Sequence, residues 1–241
     1  MDYKTLKAFL RKNNKDFEII SIGKSVLGKD IFAVNKTFDD NFKWVIITAG
    51  IHAREHLSCD FVCNFLEKLK LEESLPYNIS VVPLVNPDGV DIAIHGISLL
   101  NKKTKEKLLK INNQNTNFSL YKANANGVDL NNNFDANWEK KFTEKFAPAS
   151  QGFYGFLPMS EPETQALANW TKCKDVFLTL SYHLKGEEIY FDFFQNEKNF
   201  KRDEKIAKVF SKSTGYKIKS TQKTSSGGFK DWCVSKLRIP A

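Results

Sequence analysis

Four histidines are scattered through the chain, and two of them stand where a metal could be held. His52 and Glu55 form a His-x-x-Glu turn, which puts an imidazole and a carboxylate close together on one loop. His183 lies far downstream, at the end of the apolar run Val-Phe-Leu-Thr-Leu-Ser-Tyr. Two imidazoles and a carboxylate are one of the standard donor sets for a catalytic zinc, which keeps a fourth position open to water. An ion so held acidifies its water and polarises a carbonyl. A lone His-x-x-Glu is common by chance, and a polar loop residue is the alternative reading of His52 or His56. His95, before Gly96, has no evident partner.

The elements that would position these residues can be read from periodicity. Residues 17–22 and 30–34 read as a hairpin joined through Gly28-Lys29. Trp44–Thr48 is a nearly all-apolar run, as expected of a strand buried on both faces. Residues 60–71 carry apolar side chains at helical spacing, and 79–85 form a second buried strand. Asn86-Pro87-Asp88-Gly89 then reads as a turn. Residues 161–170 read as a helix with Pro162 in its first turn, 176–182 as a third buried strand and 201–214 as an amphipathic helix. Alternating strands and helices predict an α/β fold, a mixed, mostly parallel twisted sheet with helices on both faces. In such sheets ligands gather beyond the carboxyl ends of the strands. Trp44–Thr48 leads into His52 and 176–182 leads into His183, so both could meet there.

Composition excludes several classes. With 241 residues, 41% of them apolar and 13% aromatic, the chain suffices for one domain with a substantial core and does not read as disordered. No apolar run is long enough to span a bilayer, and the first residues lack a secretory signal, so the expectation is a cytoplasmic protein that uses no membrane. Cys59, Cys63, Cys173 and Cys233 form no Cys-x-x-Cys pair and are expected reduced. The net charge of +8 is spread over scattered lysines, denser at 102–110 and 198–208. Without an aromatic-interleaved basic motif this predicts a solvated surface rather than a nucleic-acid partner. Attraction of an anionic substrate is the third option.

Five segments, in order, resemble the zinc carboxypeptidases. They are Ala49-Gly50-Ile51-His52-Ala53-Arg54-Glu55-His56, Asn86-Pro87-Asp88-Gly89, Gly127-Val128-Asp129-Leu130-Asn131-Asn132-Asn133-Phe134, Ser181-Tyr182-His183 and Ser226-Gly227-Gly228-Phe229-Lys230-Asp231-Trp232. The resemblance implies one zinc per chain held by His52, Glu55 and His183, with Arg54 and Asn131 on the substrate side. Asn132 stands at the family's carboxylate-clamping arginine, and a neutral amide cannot make that bidentate charged clamp. Lys122 is the candidate by position for the oxyanion-stabilising arginine, with a surface lysine as the alternative. Lys230 falls at the family's pocket floor, where a lysine would favour an acidic substrate group, and Lys223 falls near its mobile tyrosine. For both, a solvent-facing lysine is the alternative.

His183-Leu184-Lys185-Gly186-Glu187-Glu188-Ile189-Tyr190 resembles a narrower branch, the bacterial γ-D-glutamyl-L-diamino-acid peptidases, which cut peptidoglycan stem peptides. The implied activity is zinc-dependent hydrolysis of a γ-D-glutamyl-diamino-acid amide, with an anionic peptidoglycan fragment as partner. The alternatives are a carboxypeptidase or deacylase on another acidic amide, and a metal-binding protein without catalysis. The family's general-base glutamate is expected beyond Ala241, so no catalytic base is assigned within 1–241. Glu187 and Glu188 lie on the wrong segment to replace it. The resemblance thus implies a single catalytic domain over 1–241 lacking the family's C-terminal strand and helix, with its open sheet continued beyond 241 or completed by a partner such as a second copy.

Overall fold

The computed structural model describes residues 1–141, 146–220 and 226–241. A first helix, α1 (Tyr3–Lys12), starts at Asp2, whose carboxylate accepts the Thr5 N–H at 2.7 Å, and buries Leu6 and Leu10. Strands β1 (Glu18–Lys24) and β2 (Asp30–Lys36) form the expected hairpin. Then follow β3 (Trp44–Thr48), α2 (Leu57–Leu69), β4 (Asn78–Val82), α3 (Pro87–His95) and α4 (Lys102–Ile111). After a long irregular stretch come α5 (Pro162–Lys172), β5 (Val176–Ser181), β6 (Glu188–Tyr190), α6 (Glu197–Thr214), β7 (Lys217–Lys219) and α7 (Phe229–Trp232).

One sheet has the order β1-β2-β4-β3-β5, and β6 and β7 pair separately. The β1–β2 and β2–β4 ladders are antiparallel, while β3–β4, β3–β5 and β6–β7 are parallel. The five-stranded sheet is therefore mixed, and three of the five ladders of the two sheets are parallel, in line with the mixed, mostly parallel pairing that the alternation of elements predicts. Its two faces carry separate cores. Val34, Val45, Ile47, Ile79 and Val81 pack under α1 and α2 with Leu6, Leu10, Val62 and Leu66. Ile31, Ala33 and Val82 face the other way, toward Ala166 and Leu167 of α5 and Phe229 and Trp232 of α7. Neighbouring strand residues thus bury opposite faces, which is why β3 reads as a nearly all-apolar run and β4 as a mostly apolar one around Ser80. Each fully buried aliphatic side chain, such as Leu66 with no exposed surface, contributes about 2 kcal/mol.

The structure corrects several boundaries. Asn86-Pro87-Asp88-Gly89 is not a turn but the start of α3. Asn86 Oδ1 accepts the Gly89 N–H at 2.9 Å and Pro87 fills the first helical position, where its missing N–H costs nothing. His95 therefore ends a helix, at 2.8 Å from Asp2 Oδ2. Helix α2 begins at Leu57 rather than 60, α6 begins at Glu197 rather than 201, and β4 ends at Val82 rather than 85. Helices α1 and α4 are additions to the expected elements; both are short and charge-rich, with apolar stripes as narrow as Leu6 and Leu10 or Leu108 and Ile111. The four cysteines are free, three of them buried, as expected. No helix among the described residues is long and apolar enough to cross a membrane.

Candidate metal centre

Strands β3 and β5 lie side by side and parallel, with Thr48 opposite Ser181, so both chains leave the sheet at the same edge. Beyond β3 the backbone keeps pairing, with Val85 N–H to the Ala49 carbonyl and Asn86 N–H to the Gly50 carbonyl, both at 3.0 Å. Gly50 has φ +62, and a Cβ there would lie 2.7 Å from Cys59 Sγ and 2.8 Å from Leu84 Cδ1. Only glycine fits this bend, and the bend turns the next residues over the strand ends. The Glu55 N–H closes a tight turn on the His52 carbonyl at 3.0 Å, and Ser58 Oγ donates to the Glu55 carbonyl at 2.7 Å.

His52 and Glu55 consequently point the same way, with Nδ1 2.8 Å from Oε1. From the neighbouring strand, anchored by Tyr182 N–H to the Thr48 carbonyl at 2.8 Å, His183 reaches the same point. Its Nδ1 is 3.0 Å from Glu55 Oε2 and 3.2 Å from His52 Nδ1. The three donor atoms all lie within 4.8 Å of one another. Two imidazole nitrogens facing each other this closely suit a shared cation. The edge of a tetrahedron with zinc–nitrogen bonds of about 2.0–2.1 Å is about 3.3 Å.

The protonation states of Glu55 and His183 agree with that use. Burial alone would raise the Glu55 pKa, but hydrogen bonding to His183 and then to His52 holds it well below the ordinary carboxylate range. Loss of hydration lowers the basicity of His183 against the pull of Glu55, favouring the neutral imidazole that metals bind. His52 goes the other way: burial is outweighed by the Asp129 and Glu55 carboxylates. Its Nε2 faces Asp129 Oδ1 at 3.5 Å, a long contact. Asp129 is buried; its Oδ2 accepts the Gly152 N–H at 3.2 Å and pairs with Lys122 Nζ at 2.9 Å. Asp129 was given no role by the sequence; its place two residues before the substrate-side Asn131 was the available signal.

A cavity of about 580 Å³ opens from the metal centre, bounded by His52, His183, Asn131 and Lys230, with β5 and β6 on its walls. Asn131 is on this wall, its Oδ1 accepting the Phe229 N–H at 3.0 Å. Lys230 is there too, its Nζ 2.7 Å from Asp231 Oδ1 and 2.7 Å from the Asp192 carbonyl. Lys122 is paired with Asp129 rather than standing on the open surface. Arg54 is exposed and donates to the Leu120 carbonyl at 3.4 Å and to Gln151 Oε1 at 3.3 Å. Asn132 is half-buried, with Gly227 packed on its backbone. Lys223 lies outside the described residues. His56 precedes α2 and accepts the Met1 ammonium on its carbonyl at 3.2 Å.

Comparison with known proteins decides the family. The model of the zinc carboxypeptidases matches residues 3–239. The chain belongs to the zinc carboxypeptidase family. Zinc is the cofactor of that family, and the His52, Glu55 and His183 donors suit it. The chain is 32% identical over 235 residues to γ-D-glutamyl-L-diamino acid endopeptidase 1 of Lysinibacillus sphaericus, matching 91% of this chain and 58% of that protein. It is 31% identical over 233 residues to an uncharacterised Bacillus subtilis protein, matching 88% and 60% of the two. The chain thus spans about three fifths of the length of these curated relatives. In fold it is similar to carboxypeptidase A of Helicoverpa armigera, with TM-score 0.76, 18% identity and coverage of 97% of this chain and 61% of that one. It also resembles murein-tripeptide amidase MpaA of Escherichia coli O157, with TM-score 0.58, 22% identity and coverage of 92% and 80%.

Proposed function

We propose that this zinc carboxypeptidase family member hydrolyses a γ-D-glutamyl-diamino-acid amide in peptidoglycan stem peptides. The observation that carries the reading is the convergence of His52, Glu55 and His183 at the head of a cavity, two imidazole nitrogens and a carboxylate aimed at one point. A 32%-identical relative is named for that bond. Zinc, when bound, supplies a water of lowered pKa and a Lewis acid for the amide carbonyl.

The chain's own residues provide the rest of the setting. Asp129 braces His52 from behind and is itself held by Lys122, so the imidazole keeps Nδ1 toward the ligand point. Asn131 and Lys230 stand on the cavity wall where the substrate would lie. Stem peptides carry several carboxylates, and a chain of net charge +8 attracts them over distance.

One observation favours a second reading, metal binding without turnover. Several cavity-wall carboxylates are already engaged: Asp203 with Arg202 at 2.6 Å, Asp231 with Lys230 at 2.7 Å and Glu188 with Lys219 at 3.7 Å. A single experiment separates the readings. Zinc-loaded protein is assayed on γ-D-glutamyl-diaminopimelate peptides beside ordinary C-terminal peptides. Preferential release of diaminopimelate supports the first reading. Cleavage only of ordinary peptides overturns it in favour of a carboxypeptidase, and stoichiometric zinc without turnover supports the second.

A further inference from the structure

At the opposite end of β5 from His183 lies a second cavity, of about 430 Å³, between the start of β5 and the segment that follows α7. Among the described residues its walls carry Lys43, Lys172, Lys174, Arg202 and Arg238 beside the carboxylate of Asp175, with Asp203 paired to Arg202 behind them. The two cavities meet at Pro240, which lines both, but the start of β5 lies six strand residues, roughly 17 Å, from the end that carries His183, so its cations take no part in the metal chemistry.

Several of the cations are fixed in place. Lys174 Nζ stands 4.0 Å from the ring centroid of Trp44 and 4.5 Å from that of Trp170. Arg202 donates through Nε to Asp203 at 2.6 Å and through Nη2 to the Arg238 carbonyl at 3.0 Å. Arg238 adopts the left-handed conformation, φ 59, which an arginine takes only at some cost. Lys172 Nζ stands 5.5 Å from the centroid of Trp232, while Lys43 is paired with Asp175 at 3.1 Å. Gathering these charges in one concavity is repulsive, and an anion of several charges would relieve it. A concave wall of one sign also focuses the field. Guanidinium forks and ammonium groups together are phosphate chemistry.

We propose that this cavity binds a small anion built on a chain of phosphates. Its size is that of a small-molecule site, and its charge is confined to a concavity rather than spread as the stripe a nucleic acid needs. Because four of the cations, Lys43, Lys172, Lys174 and Arg202, are already held by neighbours, little side-chain freedom is lost on binding.

The test is titration calorimetry with inorganic triphosphate and with ATP, at about 50 and about 200 mM salt, with and without bound zinc. The expected result is one saturable site per chain that weakens with salt. A Lys172→Gln/Arg238→Gln double variant should bind at least about tenfold more weakly. A Lys102→Gln/Lys103→Gln variant, which removes the same charge from α4, should bind like the parent. Equal affinity for the two ligands assigns the site to the phosphates alone, and tighter ATP assigns it to a nucleotide. Thermal melts show whether each variant is folded, and Lys43→Gln provides a second probe of the same wall. Absence of saturable binding, an equal loss in the α4 variant, or a loss seen only with zinc bound would overturn the proposal.

Discussion

Gly227→Ala tests how the 226–228 loop holds the substrate-side segment. Gly227 has φ +73, and a Cβ there would lie 2.4 Å from the Asn132 carbonyl oxygen, 2.8 Å from its carbon and 3.2 Å from its Cα. The left-handed conformation alone costs an alanine about 1 kcal/mol. Relieving the clash means moving backbone, which costs about 1–3 kcal/mol as overpacking. That movement strains Gly227 N–H to the Ala136 carbonyl at 2.8 Å and Phe134 N–H to the Gly227 carbonyl at 2.9 Å, each worth about 1 kcal/mol. The sum is about 4 kcal/mol. Gly28→Ala is the internal control, because Gly28 has φ +86 with nothing within 4 Å of its Cβ position, leaving only the conformational cost of about 1 kcal/mol. Urea unfolding of both variants beside the parent measures the difference. If Gly227→Ala falls within about 1 kcal/mol of Gly28→Ala, the steric reasoning fails.

Other outcomes follow from the same geometry. His183→Ala should abolish stoichiometric zinc after dialysis, while His95→Ala, on the far end of α3, should keep it; equal retention in both would sink the assigned ligand set. Asp129→Asn should weaken zinc binding about 10–100-fold, read by competition with a chelator, and unchanged affinity would remove Asp129 from the support of His52. Glu163 is buried, and burial first, with Asp88 as a lesser cause, pushes its pKa up to about 7 from 4.5 against the Val26 and Asn124 donors. Between those values the folded state holds a proton that the unfolded chain has released. Stability should therefore fall as pH rises through that window, by about 3 kcal/mol in all. Urea unfolding at about pH 5 and about pH 8 should show the fall, and Glu163→Gln should flatten it.

What could be read in the sequence follows the range of the forces involved. The strands β3, β4 and β5 announce themselves because burial on both faces leaves short, mostly apolar runs, broken only by small polar residues such as Ser80 and Thr179. The hairpin shows through Gly28. Helix α3 does not, because Asn-Pro-Asp-Gly is at once good turn chemistry and good helix-start chemistry. Asn86 caps the helix only because the chain after β4 is already steered by the Val85 and Asn86 N–H bonds to Ala49 and Gly50. Lys122 and Lys230 could be placed near the site by motif, yet their ion pairs with Asp129 and Asp231 depend on how separate segments pack. The same limit hid Asp129, whose neighbour His52 is far away in sequence.

The meeting of His52 and His183 rests on strand order more than on either motif. The two ligands come from strands separated by some half of the chain, and nothing local requires those strands to be neighbours. In the observed order β1-β2-β4-β3-β5, β5 adds beside β3, and its parallel register sets Ser181 against Thr48. Both strand ends then rise together, and His183 Nδ1 arrives 3.2 Å from His52 Nδ1. Had β5 added at the other edge, beside β1, it would stand four strand spacings from β3, about 19 Å away. The same sequence motifs would then hold no metal between them. The hydroxyls of Thr48 and Ser181, 3.2 Å apart, sit at this junction and lock the register one turn below the site. A slip of one residue there would turn His183 to the opposite face, so the metal centre is specified by the β3–β5 ladder as much as by its three ligands.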